Sequence, residues 1–303
     1  MDRGPLACTD AERRAALALA GELRAAGRTP RLEARWVRPG WPAWQALCAI
    51  AGAAGSVISV DHPLTGLIVV GVALAISLGH GRGRLPLGRA RATQDVVAPA
   101  PAPRAVTLVV LAAVDRPRAS VLDRVPAALQ WLQGALLLTT GFAAARLAGA
   151  EGTLVGACQL VPTVVLLLAA AGLLDAAFEP PAPSDAAATR TAVALAAVPW
   201  AEIVLVGAGE LGLRARLRSD RRAPEEVVLL WLEPAGQAGW RSVHPTLAAI
   251  AQDTGASRRR GRALPAGTRP ALALSGPDGA LAGLARTVVA RLEPYSESAR
   301  STK

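Results

Sequence analysis

Lysine is almost missing from this 303-residue chain: Lys303 is the only one among 33 basic residues. Tyrosine occurs once and phenylalanine twice, so no set of stacking rings accompanies the arginines as it would in a nucleic-acid platform. The three cysteines, Cys8, Cys48 and Cys158, are too few and too dispersed for a disulfide framework or a paired-cysteine metal site. Only His62, His80 and His244 supply imidazole, which limits any zinc centre that needs nitrogen donors. Ala, Arg, Gly, Leu, Pro and Val dominate instead, a bias that reads as GC-rich bacterial coding. The formal net charge of +10 is then expected from cationic loops lying against an anionic lipid leaflet rather than from a nucleic-acid role.

The chain is also poor in charge, with 18% charged against 52% hydrophobic residues and a mean hydropathy of +0.33, too apolar for an ordinary soluble protein. Four uncharged stretches carry the excess: Ala43 to Val60, Leu64 to Gly79, Ala127 to Ala145 and Gly152 to Leu174. About 20 helical residues cross a hydrocarbon core of about 30 Å, and these runs show no polar face to offer water, unlike the core helices of a large soluble protein. Asp61 to Pro63 separate the first pair and Arg146 to Glu151 the second, so the stretches read as two transmembrane hairpins.

Arginine sets the expected orientation, because cationic loops stay in the cytoplasm. Residues 1–41 carry eight Arg and residues 80–125 another eight, whereas the two hairpin tips together carry Arg146 alone. Both termini are therefore expected on the cytoplasmic side of a cell inner or plasma membrane, in a multi-pass arrangement. Residues 1–41 are charged and helical in pattern, unlike a secretory leader. Expected segments are an N-terminal part of a cytoplasmic domain (1–41), hairpin 1 (42–80), a segment with a core strand (81–125), hairpin 2 (126–176), a main α/β part (177–295) and a disordered tail (296–303).

Outside the hairpins the pattern predicts a helix around Leu17–Leu23 ending at Gly27 and a half-buried strand over Pro30–Val37. It also predicts an all-apolar strand over Val106–Val114 and further strands at Ala201–Val206, Val227–Leu232 and Pro270–Leu274. Helices are expected at Ala186–Ala197, Leu211–Arg218, His244–Asp253 and Ala280–Leu292. Strands apolar on both faces that alternate with helices predict an α/β fold, a mixed or mostly parallel sheet flanked by helices.

Motifs sit at the ends of these strands: Ala112-Ala113-Val114-Asp115, Pro183-Ser-Asp185-Ala-Ala, Gly209-Glu210-Leu-Gly212 and Trp231-Leu-Glu233-Pro. In this order they resemble metallopeptidase family 28, the di-zinc aminopeptidases, and within it bacterial membrane-bound members with inserted helical hairpins. The resemblance implies a zinc-exopeptidase-like fold and a degenerate metal site. Asp185, Glu210 and Glu233 match its acidic ligand positions and Asp115 a vestigial acid, but Ala113 stands in place of a ligand histidine. Gly209 stands in place of the glutamate base, and the last histidine ligand has no match. Loss of two imidazoles and the base predicts a pseudoenzyme with no catalytic residues and no cofactor, zinc being expected only if the site is retained. His244 reads as a helix-start or packing residue.

Two other readings use the same sequence. Gly207-Ala-Gly-Glu-Leu-Gly212 follows a strand and precedes a helix, with Glu233 21 residues past the last glycine, which matches a dinucleotide fingerprint formally. The strip Ser257-Arg-Arg-Arg-Gly-Arg262 fits contact with lipid headgroups in a plain membrane scaffold, or a solvated loop. The partners expected overall are membrane lipid and either a protein partner or a second copy of the chain. The role expected is binding or regulation at the membrane, with an active membrane-bound aminopeptidase as the alternative.

Overall fold

A computed structural model describes residues 7–81, 87–102, 104–114, 128–178, 186–235, 237–242, 244–259 and 269–298. The chain divides into two compact units, one formed by residues 1–37, 90–117 and 181–303 and the other by residues 38–89 and 118–180.

The first unit is built on an eight-stranded mixed sheet. Helix α1 (Asp10–Ala25) precedes β1 (Arg31–Val37), followed by β2 (Arg91–Ala98) and β3 (Thr107–Ala113). Helix α6 (Ala187–Ala194), β4 (Ala201–Val206), α7 (Gly209–Ser219) and β5 (Val227–Pro234) come next. Then β6 (Gly239–Ser242), α8 (Pro245–Gln252), β7 (Ser257–Arg258), β8 (Ala271–Gly276) and α9 (Asp278–Ser298) complete the unit. The strand order is β1-β2-β4-β3-β5-β8-β6-β7. Strands β4, β3, β5 and β8 run parallel, while β1 with β2, β2 with β4, and β6 with β8 pair antiparallel.

Strands apolar on both faces need cover on both. Leu108, Val110, Ile203, Leu230 and Leu272 point to one side, where Ala16 and Leu23 of α1, Ala192 of α6, Leu247 of α8 and Val288 of α9 pack on them. Val109, Leu111, Val204 and Trp231 point to the other, against Leu213 and Leu217 of α7. The expected strand over Pro270–Leu274 extends to Gly276 and the last helix runs through Ser298, so the helix takes in the first residues of the expected tail. Strand β2 has no counterpart among the expected strands, because Thr93 and Asp95 are fully buried, which replaces alternation with a polar-in pattern.

One polar residue ties this unit together. Arg28 is buried and its guanidinium donates to the carbonyls of Ala196 at 2.8 Å, Pro99 at 2.8 Å, Val198 at 2.7 Å and Ala201 at 3.0 Å. Three of these carbonyls belong to the chain from the 3-10 turn Leu195–Ala197 to the start of β4 and the fourth, Pro99, follows β2, so one side chain ties the end of β2 to the entry of β4. Burial holds the Arg28 pKa below its ordinary value.

The second unit is a four-helix bundle: α2 (Trp41–Ile58), α3 (Pro63–Gly81), α4 (Ala128–Leu147) and α5 (Thr153–Phe178). Short links, Ser59–His62 and Ala148–Gly152, make two hairpins. Among the described residues one helix, α5, is long and apolar enough to cross a membrane, with a hydropathy of 2.2; Pro42–Ile58 and Pro63–Gly79 are apolar but shorter. Of the four spans expected from the sequence, the second of them the shortest, one is long and apolar enough among the described residues. A helix of 17 residues rises about 26 Å, at the lower limit of a spanning segment.

The bundle buries a handful of polar side chains beside an apolar core and presents large apolar side chains outward. Gln45, Ser56, Ser59, Ser77, Thr139 and Gln159 are buried, while Leu154 is 77% exposed, Phe178 80%, Leu168 68% and Trp131 66%. The interior polar groups satisfy one another: Ser77 Oγ donates to Gln45 Oε1 at 2.7 Å. The Gln159 amide donates to Ser56 O at 2.7 Å and Ser59 Oγ at 2.9 Å, and the Ser56 and Thr163 hydroxyls share a hydrogen bond of 2.7 Å.

Candidate functional site

Three parallel strands bring the motif positions to one edge. Ala113, the last residue of β3, pairs in register with Val206, the last of β4, and Ala112 is level with Leu232, so Glu233 lies beside Ala113. Immediately after β4 the chain turns through Ala208 at φ 56° and Gly209 at φ 49° into α7. Ala113, the Gly207–Glu210 turn and Glu233 therefore share the carboxyl end of the sheet, the usual place for a ligand in an α/β fold. Asp115 and Asp185 lie outside the described residues, as does the side chain of Glu210.

Their chemistry at this edge differs from their placement. Ala113 and Gly209 carry no donor atom. Glu233 accepts from Arg241 Nη2 through both oxygens at 2.5 Å and from Trp231 Nε1 at 2.9 Å, so a guanidinium already neutralises the one described carboxylate. Arg241 arrives from β6, which register places two strands away across β8. No group of three or more His, Cys, Asp or Glu among the described residues is arranged to hold a metal ion.

The histidines stand elsewhere. Ser242 pairs with Leu272 near the start of β8, and His244 lies beyond it, whereas Glu233 pairs with Ser275 near the end of that strand. His244 is thus at the opposite edge, where it precedes α8 at the N-cap position, as expected of a helix-start residue. His62 lies in the α2–α3 link and His80 near the end of α3, both in the bundle segment.

Two buried carboxylates that the motifs did not single out surround the Gly207 turn. Asp95 accepts from Gly207 N–H at 3.1 Å and from Arg35 Nε at 2.9 Å. Burial raises its pKa against the opposing pull of Arg35, the Gly207 amide and Arg216. Glu12 Oε1 accepts from the Thr93 hydroxyl and from Gln94 N–H, and Glu12 Oε2 from Cys8 N–H. A cavity of about 400 Å³ opens at this end of α1, lined by Cys8, Asp10, Glu12, Arg13 and Gln94 among others, and its buried carboxylate is engaged by these bonds. The sequence signal for Glu12 was the Thr9-x-x-Glu12 spacing of a capping box. Asp95 gave none, because its partners are far away in the chain.

These contacts remove the dinucleotide reading. The Gly207 N–H that would face a pyrophosphate is bonded to Asp95, and a Cβ at Gly207 would stand 2.0 Å from Glu12 Oε1 and 2.2 Å from Thr93 Oγ1. The glycine is there for close packing against α1 and β2, with two carboxylates that repel phosphate. Strand β5 is separated from β4 by β3, which puts Glu233 about 10 Å away across two strand spacings, and Arg241 occupies it.

The C-terminal end of α7, at the opposite edge of the sheet near the start of β4, is held by alternating charges. Arg216 bridges Glu33 at 3.1 Å and Glu202 at 3.0 Å, and Arg222 bridges Glu202 at 2.7 Å and Asp220 at 3.0 Å. Arg269 donates to the carbonyls of Leu217, Asp220 and Arg222 at the same end of the helix. For Asp220, burial raises the pKa, but hydrogen bonds and charge from Arg222, with charge from Arg269, more than reverse it, and the net shift is downward.

No protein-family profile matches the chain, and a search of curated proteins finds no significant relative. Among solved structures, BSAP, a zinc aminopeptidase from Bacillus subtilis, aligns with 91% of this chain and 81% of its own at 11% identity and a TM-score of 0.43. An aminopeptidase from Aneurinibacillus sp. strain AM-1 aligns with 95% of this chain and 89% of its own at 10% identity and a TM-score of 0.46.

Proposed function

We propose that the chain is an integral membrane protein whose two helical hairpins lie in the bilayer and whose α/β unit, peptidase-like in plan but without peptidase chemistry, serves binding or regulation at the cytoplasmic face. The observation that carries the membrane part is the bundle's apolar outer surface over mutually bonded interior polar groups. In water, side chains such as Leu154, Leu168 and Phe178 would be covered and glutamines would face out; in hydrocarbon the polar groups must satisfy one another inside, and here they do. Helices α2 and α3, though short, are accommodated by local thinning of the bilayer or by flanking residues.

The non-catalytic part rests on side-chain chemistry. A co-catalytic zinc pair needs imidazole and carboxylate donors and a base to take a proton from the attacking water. Ala113 and Gly209 offer neither, and Glu233 is bound to Arg241. The scaffold still presents its carboxyl edge, so binding without hydrolysis is the activity it supports. No zinc and no other cofactor is assigned to it.

Two assays test the reading. Alkaline carbonate treatment of membranes from expressing cells is expected to leave the protein in the pellet; release into the supernatant contradicts the membrane part. Purified protein supplied with zinc is expected to leave aminoacyl p-nitroanilides intact. Hydrolysis above background that disappears in Glu210→Ala contradicts the non-catalytic part and restores the aminopeptidase alternative.

A further inference from the structure

We propose that Arg146 holds a phosphate group at the hairpin-tip end of the bundle, and that the group is the phosphodiester of a phospholipid headgroup. The inference rests on the membrane reading above and adds a ligand site to it. Arg146, in the last turn of α4, donates from Nε to Gln159 Oε1 at 2.6 Å. Gln159 is buried and cannot rotate, because its amide nitrogen is bonded to Ser56 O, Ser56 Oγ and Ser59 Oγ. The guanidinium is thereby fixed in orientation by a side chain from another helix.

Among the described residues no carboxylate or carbonyl accepts from its two Nη groups. Nη2 lies over Gly156, 3.7 Å from where a Cβ would stand, so glycine leaves the fork uncovered on that side. Arg146 is half-buried, and a half-buried cation without a counter-ion is unfavourable unless an anion reaches it. Asp61 and Glu151, the acids of the two tips, do not pair with it. Arginine is also the wrong residue for an outer tip by the orientation rule, and the tips carry no other arginine and no lysine. Two parallel N–H groups in a fixed plane match two oxygens of one phosphate, and the headgroup layer supplies phosphates at the end of a spanning bundle.

Native mass spectrometry of the full chain in detergent tests the site, with dioleoyl phosphatidylglycerol, dioleoyl phosphatidylcholine, dioleoylglycerol and inorganic phosphate as probes. Both phospholipids are expected to be retained about tenfold better than dioleoylglycerol, the scale of one charge-assisted contact. Arg146→Gln is expected to lower them to the dioleoylglycerol level, and Arg146→Lys, which keeps the charge but loses the fork, to an intermediate level. Gln159→Leu, which frees the guanidinium, is expected to weaken retention several-fold with Arg146 intact. Circular dichroism and gel filtration identify any variant that has failed to fold, and the Lys and Leu variants then decide. Equal phospholipid retention by a folded Arg146→Gln protein, or equal retention of dioleoylglycerol by the wild type, overturns the site. Displacement of phospholipid by millimolar inorganic phosphate overturns the lipid source while leaving the phosphate chemistry. Protein released by carbonate removes the membrane reading itself, a failure distinct from any of these.

Discussion

Replacing Arg28 by methionine keeps the length of the side chain and removes five donors. Four carbonyls, those of Pro99, Ala196, Val198 and Ala201, then lose the guanidinium at once, although Val198 keeps the Ala201 N–H at 3.2 Å. Hydrogen bonds from a charged donor contribute about 1.5–3 kcal/mol each, but the sum overstates the loss. Methionine also removes the desolvation that holds the Arg28 pKa down, and water can reach the partly buried bonds to Pro99 and Val198. The bonds to Ala196 and Ala201 are fully buried, and two orphaned carbonyls at about 1–3 kcal/mol each, with the remaining loss, give about 3–5 kcal/mol. Arg28→Lys restores one or two of the bonds and is expected to recover about half. Pulse proteolysis of the detergent-solubilised protein across a urea series measures both variants. Arg28→Met within about 1 kcal/mol of wild type would show that the carbonyls are hydrated in the folded chain and would refute the clamp.

Gly207→Val is expected to destabilise the first unit by several kcal/mol, read by the same proteolysis series, because the added atoms meet Glu12 and Thr93; a neutral result would mean that α1 is not seated on this turn. The depressed pKa of Asp220 makes its ion pair with Arg222 fully stabilising above the ordinary aspartate value of about 3.9. That stability is lost as pH falls through the lower folded value. Asp220→Asn is therefore expected to flatten the acid limb of the stability profile measured between pH 5 and 2, and an unchanged limb would exclude it. Arg241→Gln frees Glu233 and is expected to create weak divalent-cation binding seen by calorimetry, absent in the wild type; binding of equal strength in both would show that Arg241 does not block the carboxylate.

Much of the architecture was legible because its signals are local. The uncharged runs marked all four bundle helices, and continuous apolar stretches marked β3, β4 and β5, since strands buried on both faces need no alternation. Strand β2 escaped because its inward side chains, Thr93 and Asp95, are polar and find partners on α1, β1 and the Gly207 turn. Strand β6, Gly239–Ser242, is too short to show a period, and with it went the position of Arg241. The site divides the same way. That Ala113, Gly209 and Glu233 share one edge follows from strand ends in a parallel sheet. That Glu233 is neutralised depends on a register across β8 that no spacing in the sequence encodes. The apolar exterior of the bundle was visible, since the runs were apolar all round, but which glutamines and serines meet inside is a matter of helix packing.

Cysteine reactivity in native membranes tests the central claim most directly. Cys8 lies in the first unit, Cys48 is buried in the bundle, and Cys158 is exposed on the outer face of α5. With opened membrane vesicles, a lipid-soluble maleimide is expected to label Cys158 while a charged, water-soluble maleimide labels Cys8 and leaves Cys158 untouched. Rapid labelling of Cys158 by the charged reagent would place the outer face of the bundle in water and contradict the account.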